Sequence, residues 1–191
     1  MNWENSPGWK DPARPESPLV LTIGHATRSL EEFIDILKAH GVTMVADVRT
    51  VPRSRHNPQF NRETLPGALA AAGIKYVHLA GLGGWRHARS DSINTGWRSP
   101  GFRGFADYMQ TPEFDEHLRA LVKLARTERL ALMCAEAVPW RCHRSLIADA
   151  LTVRGVVVEH LMGAQTAQRH RLTPFVRAAG AILTYPAAGN E

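Results

Sequence analysis

Residues 130–151 read LALMCAEAVPWRCHRSLIADAL, and this stretch decides the fold. Leu130–Glu136 is a short, continuous apolar run of the kind that forms a strand buried on both faces. Pro139 interrupts the chain, and from Arg141 to Arg154 apolar residues recur at helical spacing until Gly155. Strand, loop and helix in that order make up most of a βαβ unit, so a parallel sheet is expected.

The same alternation extends in both directions. Upstream, Leu19–His25 (LVLTIGH) is a second buried strand. Leu30–His40 then carries Leu30, Phe33, Ile34 and Leu37 on one helical face, with Ser29 placed as N-cap and Gly41 just past the end. Val42–Val48 reads as a strand, Arg62–Ala72 as a helix closed by Gly73, and Lys75–Leu79 as a strand. Phe102–Met109 and Pro112–Thr127 read as helices before Leu130. Downstream, Val156–Leu161 is a fifth strand, and Ala181–Tyr185 is a candidate sixth. The expected fold is α/β: an open, mostly parallel sheet of five or six strands flanked by helices, a Rossmann-like three-layer sandwich. Residues 80–101 lack any period, as functional or disordered loops do. Residues 1–18 hold four prolines and few aliphatics, which predicts a mobile arm before a single domain over 19–191.

Composition narrows the function classes. With 44% hydrophobic and 21% charged residues the chain is of ordinary globular type. No apolar run approaches the roughly 20 residues of a membrane span, and the N-terminus lacks a signal-peptide core. Two cysteines are too few for a secreted disulfide framework, which points to the cytoplasm. The net charge of +5 is unevenly spread: Arg49 to Arg103 holds nine Lys/Arg against only Glu63 and Asp91. That segment would draw in an anionic partner, a small molecule or a nucleic acid, unless it is simply a solvated face. Within it, RSRHNPQFNR (53–62) mixes arginines with Phe60 and with Asn61, a composition suited to phosphate and base contacts. The sequence leaves the oligomeric state open.

Ligands of open parallel sheets bind beyond the carboxyl ends of the strands. His25 closes the first expected strand with Arg28 just beyond, the second carries Asp47 and Arg49, the third His78, and the fourth Cys134 and Glu136. Cys142, His143 and Arg144 open the following helix, where backbone N–H groups attract anions and depress a thiol pKa. Cys134 or Cys142 is therefore a candidate nucleophile, with His143 or His25 as acid/base. Asp47 is either an orienting group, a base, or a partner of Arg49. Arg28, Arg49 and Arg144, with Asn61 and Glu136, are candidates for holding the substrate. No metal site is assigned: zinc is conceivable, but the gap between the cysteines is not a usual ligand spacing, and adjacent Cys142 and His143 make an awkward pair. A reversible disulfide between Cys134 and Cys142 is also geometrically open, and each cysteine could equally be a small buried hydrophobe.

The motifs TIGHATRSLEEF, DVRTVPRSRHNPQFN, LGGWR, FADYMQTPEF, ALMCAE and CHRSLIADAL, with HLMG beyond, resemble the bacterial and archaeal family known as domain of unknown function 488. The resemblance runs from about Thr22 to Tyr185 and points to His25, Arg28, Asp47, Arg49, Pro52, Asn61, Cys134, Glu136, Cys142, His143 and Arg144. It implies no activity. A weaker likeness joins ADVR on a strand and a strand ending in Cys134 to rhodanese-type sulfurtransferases and cysteine phosphatases, although the stretch from Cys134 to Arg144 is longer than their nucleophile loop. The leading expectation is an enzyme acting on an anionic, phosphorylated substrate such as a nucleotide or nucleic acid. Sulfur transfer or thiol redox chemistry is the alternative among enzymes, and a non-catalytic nucleic-acid-binding module the alternative outside them.

Overall fold

The computed structural model describes residues 18–187, and the arm expected at 1–18 lies, Pro18 apart, outside them. Eight strands and five α-helices follow in the order β1 (Leu19–Gly24), α1 (Leu30–Ala39), β2 (Met44–Asp47), α2 (Leu65–Ala71), β3 (Lys75–His78), α3 (Pro100–Tyr108), α4 (Pro112–Ala125), β4 (Leu130–Cys134), α5 (Arg144–Thr152), β5 (Val157–Gly163), β6 (Thr166–Arg169), β7 (Arg177–Ala179) and β8 (Ile182–Thr184). Six of the strands form one sheet in the order β3-β2-β4-β1-β5-β6, and the first five run parallel.

Alternation along the central strands divides the core into two layers. Leu130, Leu132 and Cys134 of β4 join Val20 of β1 and pack beneath α3, α4 and α5. Ala131 and Met133, with Leu21 and Ile23, face the opposite way onto Phe33, Ile36 and Leu37 of α1 and Leu65 and Leu69 of α2. The caps follow local sequence: the Ser29 side chain accepts from the Glu32 N–H, and Thr111 does the same for Phe114. The three-layer sandwich is the expected one.

The sixth strand is a correction. Residues 182–184 do not extend the sheet; they pair with β7 as a separate antiparallel ribbon. The sheet instead ends on β6, antiparallel to β5. Only Ala164 and Gln165 separate β5 from β6, and so short a link can make a hairpin but not the crossover that a parallel neighbour requires. Every residue of β6 is exposed, so it lacks the apolar run that marks the parallel strands.

Topology fixes where a site can form. From β1 the chain crosses through α1 to β2, while from β4 it crosses through α5 to β5, in the opposite direction along the sheet. A crevice opens where such connections diverge. The register sets Gly24 beside Cys134, and Asp47 beside Met133 and His78, so the four strand ends finish in one row.

Candidate active site

A cleft of about 700 Å³ lies over this row and is lined by His25 just after β1, Arg49 just after β2, Cys134 at the end of β4 with Glu136 beyond it, and Cys142 and His143 just before α5. A 3₁₀ turn at Pro139–Arg141 carries the chain from β4 towards α5. Cys142 is extended (φ −133°, ψ 142°) and His143 helical (φ −56°, ψ −17°), so the chain bends between them and both side chains face Cys134. His143 Nδ1 lies 3.9 Å from Cys134 Sγ and 3.7 Å from Cys142 Sγ. Its Nε2 is 3.1 Å from the Val48 carbonyl, which can only accept, so Nε2 carries the proton and Nδ1 turns a lone pair to the sulfurs. The bend between them lets two adjacent residues face the same sulfur.

Both cysteines are free and buried. Of the two, Cys134 is held well below the usual thiol range, first by the S–H of Cys142, then by His143 and the Arg144 charge, against the opposing effect of burial. Cys142 is pushed the other way, chiefly by giving that S–H and by burial. Two glycines make the approach possible. A Cβ on Gly84 would stand 2.5 Å from His143 Nδ1, and one on Gly24 would meet the Glu136 carbonyl oxygen at 1.7 Å.

The candidate anion-binding arginines have other work. Arg144 is 1% exposed and donates to the Glu136 and Ala137 carbonyls at 2.5 and 2.8 Å, so it shapes the β4–α5 loop from beneath. Arg28 donates to the Gly24 and Met162 carbonyls and pairs with Glu32. Arg49 is held by both oxygens of Asp47, at 2.9 and 2.6 Å, and by the Phe60 carbonyl, while its Nη1 reaches His25 Nε2 at 3.2 Å. Asp47 therefore orients Arg49, caps its N–H and accepts from Tyr76, rather than orienting a histidine. His25 donates from Nδ1 to the Ala26 carbonyl and stacks on Phe60 at 4.3 Å, and burial lowers its pKa. With both nitrogens engaged, it forms a wall of the cleft. Ala26, beside it, takes a left-handed φ of 48°, a strained setting for a residue with a Cβ. Asn61 does not line this cleft; its Oδ1 takes the Ser54 N–H.

Arg53 and Arg141 also line the cleft, and among the described residues neither guanidinium has a hydrogen-bond partner. The rim carries Trp85, 77% exposed, with Val51 and Phe102. The aperiodic 80–101 segment thus contributes Gly84, Trp85, Ser99 and Gly101 to the site. It is pinned by Asp107, which accepts from Arg89, Ser92 and Asn94.

Comparison with protein families agrees with the sequence motifs: the model described as domain of unknown function DUF488 matches residues 29–151. The chain belongs to this family. The matched segment contains Asp47, Arg49, Asn61, Cys134, Glu136, Cys142, His143 and Arg144, while His25 and Arg28 precede it. No curated protein and no solved structure matches the chain. Among the described residues, no helix is long and apolar enough to cross a membrane.

One polar cluster escaped the sequence reading. Thr22 Oγ1 donates to His160 Nδ1 (2.7 Å), His160 Nε2 to His170 Nδ1 (2.9 Å), and His170 Nε2 to Asp149 (2.8 Å), which also takes the Tyr185 and Thr173 hydroxyls. The signal was there: Asp149 sits within the apolar run LIADAL, and His160 within a strand.

Proposed function

We propose that this DUF488 protein is a cysteine-dependent enzyme acting on an anionic, phosphorylated substrate such as a nucleotide or a nucleic-acid end. The reading is carried by His143 Nδ1, which faces Cys134 Sγ with its tautomer fixed by the Val48 carbonyl, at the base of an open cleft. The Cys134 thiolate bonds to the phosphorus as the P–O ester bond breaks, and the leaving oxygen takes the proton that His143 Nδ1 has accepted from the thiol. Water, deprotonated by the same nitrogen, then cleaves the thiophosphate bond. Arg53 and Arg141 receive the negative charge, and Trp85 offers a face on which a base can stack. Arg28 and Arg144 donate instead to backbone carbonyls.

The test is phosphate release from nucleotides and 5′-phosphorylated oligonucleotides by the reduced, EDTA-treated full-length protein. Cys134→Ser should abolish turnover and His143→Gln should lower it by about 10²–10⁴-fold, the usual contribution of acid/base catalysis. Turnover that survives Cys134→Ser would overturn the reading. A non-catalytic binding module would instead retain salt-sensitive nucleic-acid affinity after both cysteines are replaced.

A further inference from the structure

Cys134 Sγ, Cys142 Sγ and a ring nitrogen of His143 all lie within 4.8 Å of one another. With Zn–S bonds of about 2.3 Å and a Zn–N bond of about 2.0–2.1 Å, a tetrahedral centre sets sulfur and nitrogen about 3.6 Å apart. The observed separations of 3.7 and 3.9 Å need only a small contraction to match it. The nitrogen nearest both sulfurs is Nδ1, whose lone pair is free because Nε2–H is given to the Val48 carbonyl. An outer hydrogen bond of this kind fixes ring orientation and tautomer at metal-bound histidines. The ligands come from a strand end, the residue closing a 3₁₀ turn, and a helix N-cap, so the set is largely built before any ion arrives.

We infer that Cys134, Cys142 and His143 form a three-ligand site for a thiophilic divalent cation, Zn²⁺ being the best fit to its two sulfurs and one nitrogen. All three residues line the cleft, so a fourth coordination position opens to it. Three protein ligands with one open position is the pattern of catalytic rather than structural zinc, and a cleft anion or water would fill the vacant place. The ion needs both thiols as thiolates and releases their protons on binding. Metal-loaded and metal-free protein are then distinct chemical states, since an ion on Cys134 ties up the lone pair that the thiol reaction uses. The site shares atoms with the proposed nucleophile and does not depend on that reading.

The experiment titrates reduced, EDTA-stripped full-length protein with Zn²⁺ against a chromophoric chelator, and in parallel with Co²⁺ followed by absorption. One equivalent should bind, and Co²⁺ should show a thiolate charge-transfer band with the strong visible bands of a four-coordinate site. Loss of even an outer partner lowers metal affinity about 10–100-fold. Cys134→Ser, Cys142→Ser and His143→Gln should therefore each weaken Zn²⁺ by more than about tenfold. Absence of the thiolate–cobalt band in the wild-type protein would overturn the inference, whatever the variants do. So would Zn²⁺ affinity unchanged in Cys142→Ser. Iodoacetamide separates the two proposals: rapid Cys134 alkylation in metal-free protein without Zn²⁺ binding supports the nucleophile alone, and stoichiometric Zn²⁺ binding with slow alkylation supports the metal site alone.

Discussion

His143 can act on Cys134 only because nothing larger than a hydrogen stands at Gly84, whose Cβ would sit 2.5 Å from Nδ1. Gly84→Ala is expected to displace the ring and slow iodoacetamide labelling of Cys134 by about tenfold or more, with far-UV circular dichroism unchanged; a tenfold rate corresponds to about 1.4 kcal/mol. Unaltered labelling would mean that the ring does not set the reactivity of the thiol. At this scale much of the site was readable. Strand ends carrying His25, Asp47, Arg49 and Cys134 follow from apolar runs that stop at a polar residue. The direction in which each guanidinium points was not readable. Arg28, Arg49 and Arg144 look alike as sequence, yet two are held by backbone carbonyls and the third by Asp47. Only the three-dimensional path of the backbone decides which acceptors lie within reach. The same holds for Tyr76, whose hydroxyl on Asp47 had no local signal.

Among elements, the β4–α5 connection is the one on which the site depends. Its loop is held by two charge-assisted bonds from Arg144 to the Glu136 and Ala137 carbonyls. Hydrogen bonds to a charged group contribute about 1.5–3 kcal/mol each. Arg144→Gln should thus lower unfolding free energy in urea by about 3 kcal/mol and open residues 135–141 to limited proteolysis. A variant as stable and as resistant as the parent would show that the loop holds itself. The strand–loop–helix order was evident from residues 130–151, whereas the helix begins at Arg144 rather than Arg141 because Pro139–Arg141 forms a 3₁₀ turn. The β6 strand was missed for a physical reason: a fully exposed edge strand has no hydrophobic pattern to betray it.

Across the whole molecule, the buried chain from Thr22 through His160 and His170 to Asp149 joins β1, β5, α5 and the segment before β7. Every hydrogen bond in it runs one way, towards Asp149, and uses His160 Nδ1 as an acceptor, which a protonated His160 ring cannot be. Burial above all, and the Arg144 charge with it, lowers the His160 pKa from 6.5 to about 3. The unfolded chain therefore binds a proton between these values that the folded chain refuses. Stability should be full above about pH 6.5 and fall steadily as the pH drops towards 3. Thermal unfolding across that range is expected to show the decline, and His160→Gln to flatten it; an equally steep decline in the variant would assign it to other groups. The sandwich itself was legible, because alternating apolar runs and helical faces dictate it. The basic middle of the chain was legible as charge but not as geometry, since part of it turns inward at Arg49 while Arg53 stays at the cleft. The central claim, that Cys134 is the reactive atom of this cleft, is tested most directly by iodoacetamide labelling of reduced, EDTA-treated protein at pH 7 with peptide mapping. Cys134 should be modified before Cys142 and faster than free cysteine. Labelling of Cys142 first, or of neither faster than free cysteine, would contradict it.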